Sequence, residues 1–256
     1  MKDRRIVPKI CYIIVIIFIG LPFISLLIVG FNFSLNNSSL QVILDAMVIS
    51  YKSTAVTIGI TILIGTPSAL AIARCEFRYK RYLDAILNLP LLLPPAVAGL
   101  LLLITFGRNG LIGKYLYSIG ISIPFTLTAV ILAQLFVALP LYIKTASSGF
   151  RKVDTRLEFT AMTLGNTKWQ VFRSITLPLA KDSLITGAVL SMARALAEFG
   201  AIMMFAGNLR GKTQTLPLAI YTTMEKDMDA ALFIALIMVI ISTILLIAIQ
   251  KYSIQD

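Results

Sequence analysis

Six long apolar runs dominate this sequence, at about residues 10–31, 55–73, 83–106, 125–143, 184–205 and 230–249. Each holds roughly 19 to 24 residues, which at ~1.5 Å of rise per helical residue is enough to cross the ~30 Å hydrocarbon of a bilayer. Lipid is therefore the solvent that shapes the fold. Backbone polar groups in lipid must bond within the protein, and the runs are too long and too evenly apolar for barrel strands, so they dictate helices. Composition agrees: 58% of the residues are apolar, 14% are charged and the mean hydropathy is +0.89. The 256 residues count helices rather than globular domains. The expected fold class is an all-α polytopic membrane protein, with residues 1–256 as one transmembrane domain.

A net charge of +11 would suit a nucleic-acid partner, but the cations sort by membrane side. With the N-terminus inside, 16 of the 23 lysines and arginines fall in the cytoplasm. Lys52, Arg108, Lys114, Arg210, Lys212 and Lys226 fall outside, and Arg194 lies within a span. The positive-inside rule then makes both termini cytoplasmic. No loop offers the soluble basic face with interleaved aromatics that nucleic acid would need. The first run follows Lys2, Arg4, Arg5 and Lys9, as a secretory signal would. Its apolar stretch is too long, and no small-x-small site precedes Asn36-Asn37-Ser38-Ser39, so it reads as an uncleaved helix. The chain has no histidine, and Cys11 and Cys75 show no metal-ligand spacing, which argues against a hydrolase or metalloenzyme.

Two features depart from a plain bundle. The third run is interrupted by Asn88, Pro90 and Pro94-Pro95, followed by Ala96-Val97-Ala98-Gly99. Proline removes a backbone donor and clashes with the preceding turn, so this is either a kink packed against neighbours or a break lining a water path. The loop at 144–182 is far longer than a turn between helices needs. Leu157, Ala161 and Leu164 recur at helical spacing, Gly165 is a stop, and an amphipathic segment with Trp169, Val171, Phe172 and Ile175 continues to Leu177-Pro178. Two short helices joined at a glycine are expected.

The stretch Glu158-Phe159-Thr160-Ala161-Met162-Thr163-Leu164-Gly165, with Ile175 and Leu177-Pro178 at fixed distance after the glycine, resembles the EAA loop of permease subunits of ATP-binding-cassette importers. The family's glutamate falls at Phe159, with Glu158 one residue earlier; Ala161, Gly165, Leu177 and Pro178 fit. Two further stretches are similar to the molybdate, tungstate and sulfate branch, the molybdate type above all. One runs from Leu89-Pro90 through Pro94, Pro95 and Gly99 to Gly113. The other comprises Arg194-Ala195-Leu196-Ala197-Glu198-Phe199-Gly200-Ala201 with Thr213-Gln214-Thr215-Leu216-Pro217.

The resemblance implies the type I importer fold with six spans. It implies a homodimer around a shared path, two ATPase subunits docked on the coupling loops, and an extracytoplasmic oxyanion-binding protein. It also implies no cofactor on this chain, ATP and Mg being held by the partner ATPase. The candidate coupling residues are Glu158, Phe159, Thr160, Ala161, Leu164, Gly165, Leu177 and Pro178; those for the pore or gate are Pro94, Pro95, Gly99, Arg194, Glu198, Phe199 and Gly200.

Arg194 and Glu198 are four apart and able to pair; alternatively Arg194 snorkels to an interface or binds the anion. Gly207-Asn208-Leu209-Arg210-Gly211-Lys212-Thr213 approximates a phosphate loop but lacks its spacing and its flanking strand and helix. Six spans with an Arg/Glu pair also fit an ion-coupled carrier, though the halves show no inverted repeat. A membrane enzyme lacks a nucleophile beside a base.

Overall fold

A computed structural model describes residues 6–29, 36–75 and 78–253. Lys2, Arg4, Arg5 and the end of the first run at 30–31 lie outside them. The regular elements among the described residues are all helical.

The first helix, α1 (Ile6–Val29), is exposed along nearly all of its described surface and packs lightly against the last helix. The second, α2 (Asn37–Arg74), has 38 residues and reaches ~57 Å, nearly twice the hydrocarbon thickness. It starts well before the apolar run at 55–73 because its first half buries Ser39, Ser50, Ser53 and Thr54 as well as Ile43 and Ala46. A scan for apolar residues does not see a buried hydroxyl.

The third run is two helices, α3 (Lys80–Leu92) and α4 (Pro95–Phe106), bent by 114°. Leu93, preceding a proline, is pushed to extended backbone (φ −68°, ψ 139°). Pro95 opens α4 at a position where a missing N–H costs nothing. The proline pair is thus a break rather than a kink.

A short helix α5 (Gly113–Ser118) leads to α6 (Leu127–Lys152), capped by Thr126 and longer by two turns than the fourth run. Then follow α7 (Thr155–Thr163), α8 (Lys168–Val171), a π-helical turn (Phe172–Thr176) and α9 (Leu177–Leu196). The fifth run, expected as one span at 184–205, stops at Leu196 and resumes as α10 (Gly200–Phe205). The chain closes with α11 (Leu216–Met224) and α12 (Met228–Ser253).

Among the described residues four helices are long and apolar enough to span a membrane, and the α3–α4 pair makes a fifth candidate. The helix α9, with Lys181, Asp182 and Arg194, is not among them.

Among the described residues, three buried clusters hold the bundle together. Ala98, Ala133, Ile202 and Phe205 join α4, α6 and α10; Ala69, Tyr142, Phe150 and Ala180 join α2, α6 and α9; Ile43, Leu216 and Ile234 join α2, α11 and α12. Alanine and glycine recur at the contacts because lipid supplies no hydrophobic drive between helices, which leaves close backbone approach to do the work. At Gly65 a Cβ would lie 2.6 Å from the Tyr142 ring, whose hydroxyl is 2.8 Å from Thr66. One end of the bundle gathers Arg74, α7 and α8; the other gathers Ser39 with Asp227 and Asp45 with Arg210.

Candidate coupling and gating sites

The long loop folds from its caps. Asp154 starts α7 by accepting the Arg156 N–H at 2.9 Å. At its end Gly165 sits at φ +92°, its N–H donating to the Met162 carbonyl at 3.0 Å while the Asn166 N–H reaches the Ala161 carbonyl at 3.2 Å. This paired closure needs a left-handed residue, which glycine supplies without strain. Space is not the constraint, since a Cβ there would meet nothing within 4 Å. Thr167 and Gln170 then form a reciprocal capping box.

The second short helix does not end at Pro178, as the sequence suggested; it runs through the π turn into α9. Proline inside a helix cannot donate to the carbonyl four residues back and crowds it. The wider turn, in which the Leu177 N–H reaches the Phe172 carbonyl, absorbs that misfit just before Pro178.

Glu158 is turned into the protein. Its Oε1 accepts from Arg74 Nη2 and from the Thr176 hydroxyl, each at 2.7 Å, and Arg74 also donates to the Val153 carbonyl at 3.2 Å. This ties α7 to the end of α2 and to the π turn. Ala161 is buried on the same side, whereas Phe159 is 63% and Leu164 79% exposed, and Thr160 is exposed as well. Leu177 is half-buried and Pro178 exposed. Trp169, 67% exposed, stacks on Phe172 at 5.6 Å between ring centres. The result is a short helix anchored by its polar residue, with apolar side chains outward. Arg74 and Thr176 escaped the sequence reading, because only the folded register shows that they meet Glu158.

The gating candidates converge where the two broken runs cross. A Cβ on Gly99 would lie 2.6 Å from the Ala201 carbonyl oxygen, and one on Gly200 would lie 2.7 Å from Pro95 Cβ. The helices α4 and α10 are therefore in backbone contact, each beginning just after its break. Pro94 caps α4 and is exposed.

Arg194 Nη1 and Glu198 Oε2 pair at 2.7 Å, and Glu198 Oε1 accepts the Ala201 N–H at 2.9 Å. Glu198 is 1% exposed and Arg194 34%. Phe199 lies edge-on to Tyr221, ring centres 5.8 Å apart.

Gln134 completes this region and was missed. Buried on α6, it donates to the Ala195 carbonyl at 3.1 Å and to Thr54 Oγ1 at 3.3 Å, and accepts from Thr57 at 3.0 Å. A carbonyl near the broken end of α9 thus keeps a partner. One amide inside an apolar run was the available signal.

A model of the family described as binding-protein-dependent transport system inner membrane component matches residues 61–256. The molybdenum transport system permease protein ModB of Mycobacterium tuberculosis is 42% identical over 204 residues, 80% of this chain and 77% of that protein. The sulfate transport system permease protein CysW of Synechococcus elongatus is 38% identical over 189 residues, 74% of this chain and 65% of that protein. Among solved structures, a chain of a bacterial ABC transporter involved in the import of the acidic polysaccharide alginate has a similar fold. Its TM-score is 0.67, at 18% identity, covering 97% of this chain and 94% of that one.

Proposed function

Since the chain belongs to the family of binding-protein-dependent transport system inner membrane components, we propose that it is the permease of a molybdate importer, with tungstate as a companion substrate. It is a multi-pass membrane protein and a transport subunit; ATP hydrolysis belongs to a separate ATPase.

In this reading two copies enclose the path at their two-fold axis, six spans each, with both termini in the cytoplasm. An extracytoplasmic binding protein delivers the anion, and two ATPases, holding ATP and Mg, grip the two α7 helices. Closure of the ATPases draws these helices together and opens the path outward; hydrolysis lets it return. Selectivity resides mainly in the binding protein, because a path that bound a dianion tightly would trap it. The crossing of α4 and α10 at Gly99 and Gly200 serves as the gate, with Arg194 and Glu198 as a structural pair beside it.

The observation that carries the coupling role is the outward face of α7. Phe159 and Leu164 stand exposed while Glu158 anchors the helix from behind, as a helix that must be gripped by a groove requires. The test is uptake into vesicles containing permease, ATPase and binding protein. Molybdate entry that needs ATPase and ATP, and that excess sulfate does not displace, supports the proposal. Displacement by equimolar sulfate favours the sulfate reading that the CysW likeness keeps open. Uptake by the permease alone would mean an ion-coupled carrier.

A further inference from the structure

On the inner half of the bundle, between α3 and the last turns of α6, lies a cavity of about 320 Å³. At ~30 Å³ per water it has room for a small tetrahedral anion that keeps part of its hydration. Its polar lining is Asp84, Asn88, Lys144, Ser147, Ser148 and Arg151. We propose that this cavity is a weak binding site for a tetrahedral oxyanion, which the translocated anion occupies on its way into the cytoplasm. The site rests on the permease reading above.

The side chains are set for this role. Lys144 Nζ donates to Asn88 Oδ1 at 3.3 Å, and Asn88 is itself fixed by donating to the Asp84 carbonyl at 2.7 Å. The exposed ammonium thus reaches across the gap between α3 and α6, and it keeps two N–H groups to give. Arg151 lies two turns further on, with a planar fork suited to paired oxygens and no ion-pair partner among the described residues. Ser147 spends its proton on the Lys144 carbonyl at 3.0 Å, while the Ser148 hydroxyl is exposed.

One carboxylate, Asp84, faces the two cations, so the excess charge is a single positive unit. That balance attracts a dianion without holding it, which conduction requires. An anionic lipid headgroup presents the same tetrahedral chemistry, and the test separates the two sources.

The permease–ATPase complex, free of nucleotide, is placed in nanodiscs of phosphatidylcholine alone and titrated with radiolabelled molybdate and, separately, sulfate. The expected result is weak, saturable, salt-sensitive binding. Lys144→Gln or Arg151→Gln should weaken it by about tenfold or more, the loss of a hydrogen bond to a charged group, while Lys144→Arg retains it. Retention of the ATPase on size exclusion shows that each variant is folded.

Equal binding in wild type and the neutral variants, or none in wild type, overturns the site. So does anionic lipid that copurifies with wild type and is lost in the variants, when no inorganic anion binds in the neutral discs. Full ATP-driven uptake by a Lys144→Gln/Arg151→Gln double variant would remove this site from the path while leaving the permease assignment intact. Absence of uptake by the wild-type complex would strike the assignment itself.

Discussion

Glu158 of α7 pairs with Arg74 at the end of α2 at 2.7 Å, with both side chains four-fifths covered or nearly so. One contact thus connects the proposed coupling helix with the longest helix of the bundle. In the proposed coupling, motion imposed on α7 would pass through this pair to α2, which packs along α6.

Replacing Glu158 by Ala should therefore leave ATP hydrolysis in the assembled complex but lower uptake per ATP. A carboxylate hydrogen-bonded to a partly buried guanidinium contributes about 1–3 kcal/mol. A double-mutant cycle with Arg74→Ala, read by thermal unfolding, should give a coupling of about 1 kcal/mol. Strictly additive losses would show that the pair carries no shared energy.

At Gly165 the left-handed backbone sets the outcome. Gly165→Val should cost about 1–3 kcal/mol of local strain and uncouple hydrolysis from uptake, whereas Gly165→Asn should stay close to wild type. The ratio of anion moved to ATP hydrolysed is the readout. Equal behaviour of the two variants would place the constraint elsewhere.

The crossing of α4 and α10 leaves no room for even one methyl. Gly99→Ala forces the Ala201 backbone to move and should lower stability by about 1–3 kcal/mol; Gly200→Ala acts on Pro95 from the other side. Melting temperatures of the purified complex test this. Unchanged melting in both would mean that the helices slide apart freely.

Glu198→Ala removes the partner of Arg194 and the acceptor of the Ala201 N–H together. Breaking a buried pair costs about 3–5 kcal/mol, reduced here because Arg194 is a third exposed, so folded protein should be lost before anion choice changes. Full expression with altered specificity would contradict a structural pair.

At the opposite end, the Ser39 hydroxyl and then the Ala230 N–H hold the Asp227 carboxyl below its ordinary value of about 3.8. A carboxyl lowered in the folded state adds stability that is present above the unfolded pKa and vanishes as pH falls through the folded one. Unfolding temperature should therefore be insensitive to this group above about pH 5 and drop below about pH 4, with Ser39→Ala removing part of the drop.

Hydropathy located the helices but not their limits. The start of α2 was hidden because Ser39, Ser50 and Ser53 are buried against other helices, and an apolar-run scan counts them as surface. The break after Leu196 was hidden for the opposite reason. Ala197 through Phe199 look apolar enough to continue a span, and only Glu198, folded back to cap α10, marks the interruption. The prolines at 94 and 95 announced an interruption because the chemistry is local, but left open whether it was a kink or a break. The turn at Gly165 was legible from spacing along one helix, while Glu158 was singled out only through the resemblance to the EAA loop. Arg74, Thr176 and Gln134 were not legible, since their roles arise from contacts between segments far apart in the chain.

If this chain borrows its motor through α7, the exposed Phe159 lies against the ATPase. A photocrosslinking residue at position 159, in membranes containing the assembled transporter, measures that contact directly. A covalent adduct with the ATPase subunit is expected, reduced when Gly165→Val is added. An ATPase that crosslinks elsewhere on the chain but never at 159, or a position 159 that reacts only with reagents added from outside the cell, would contradict it.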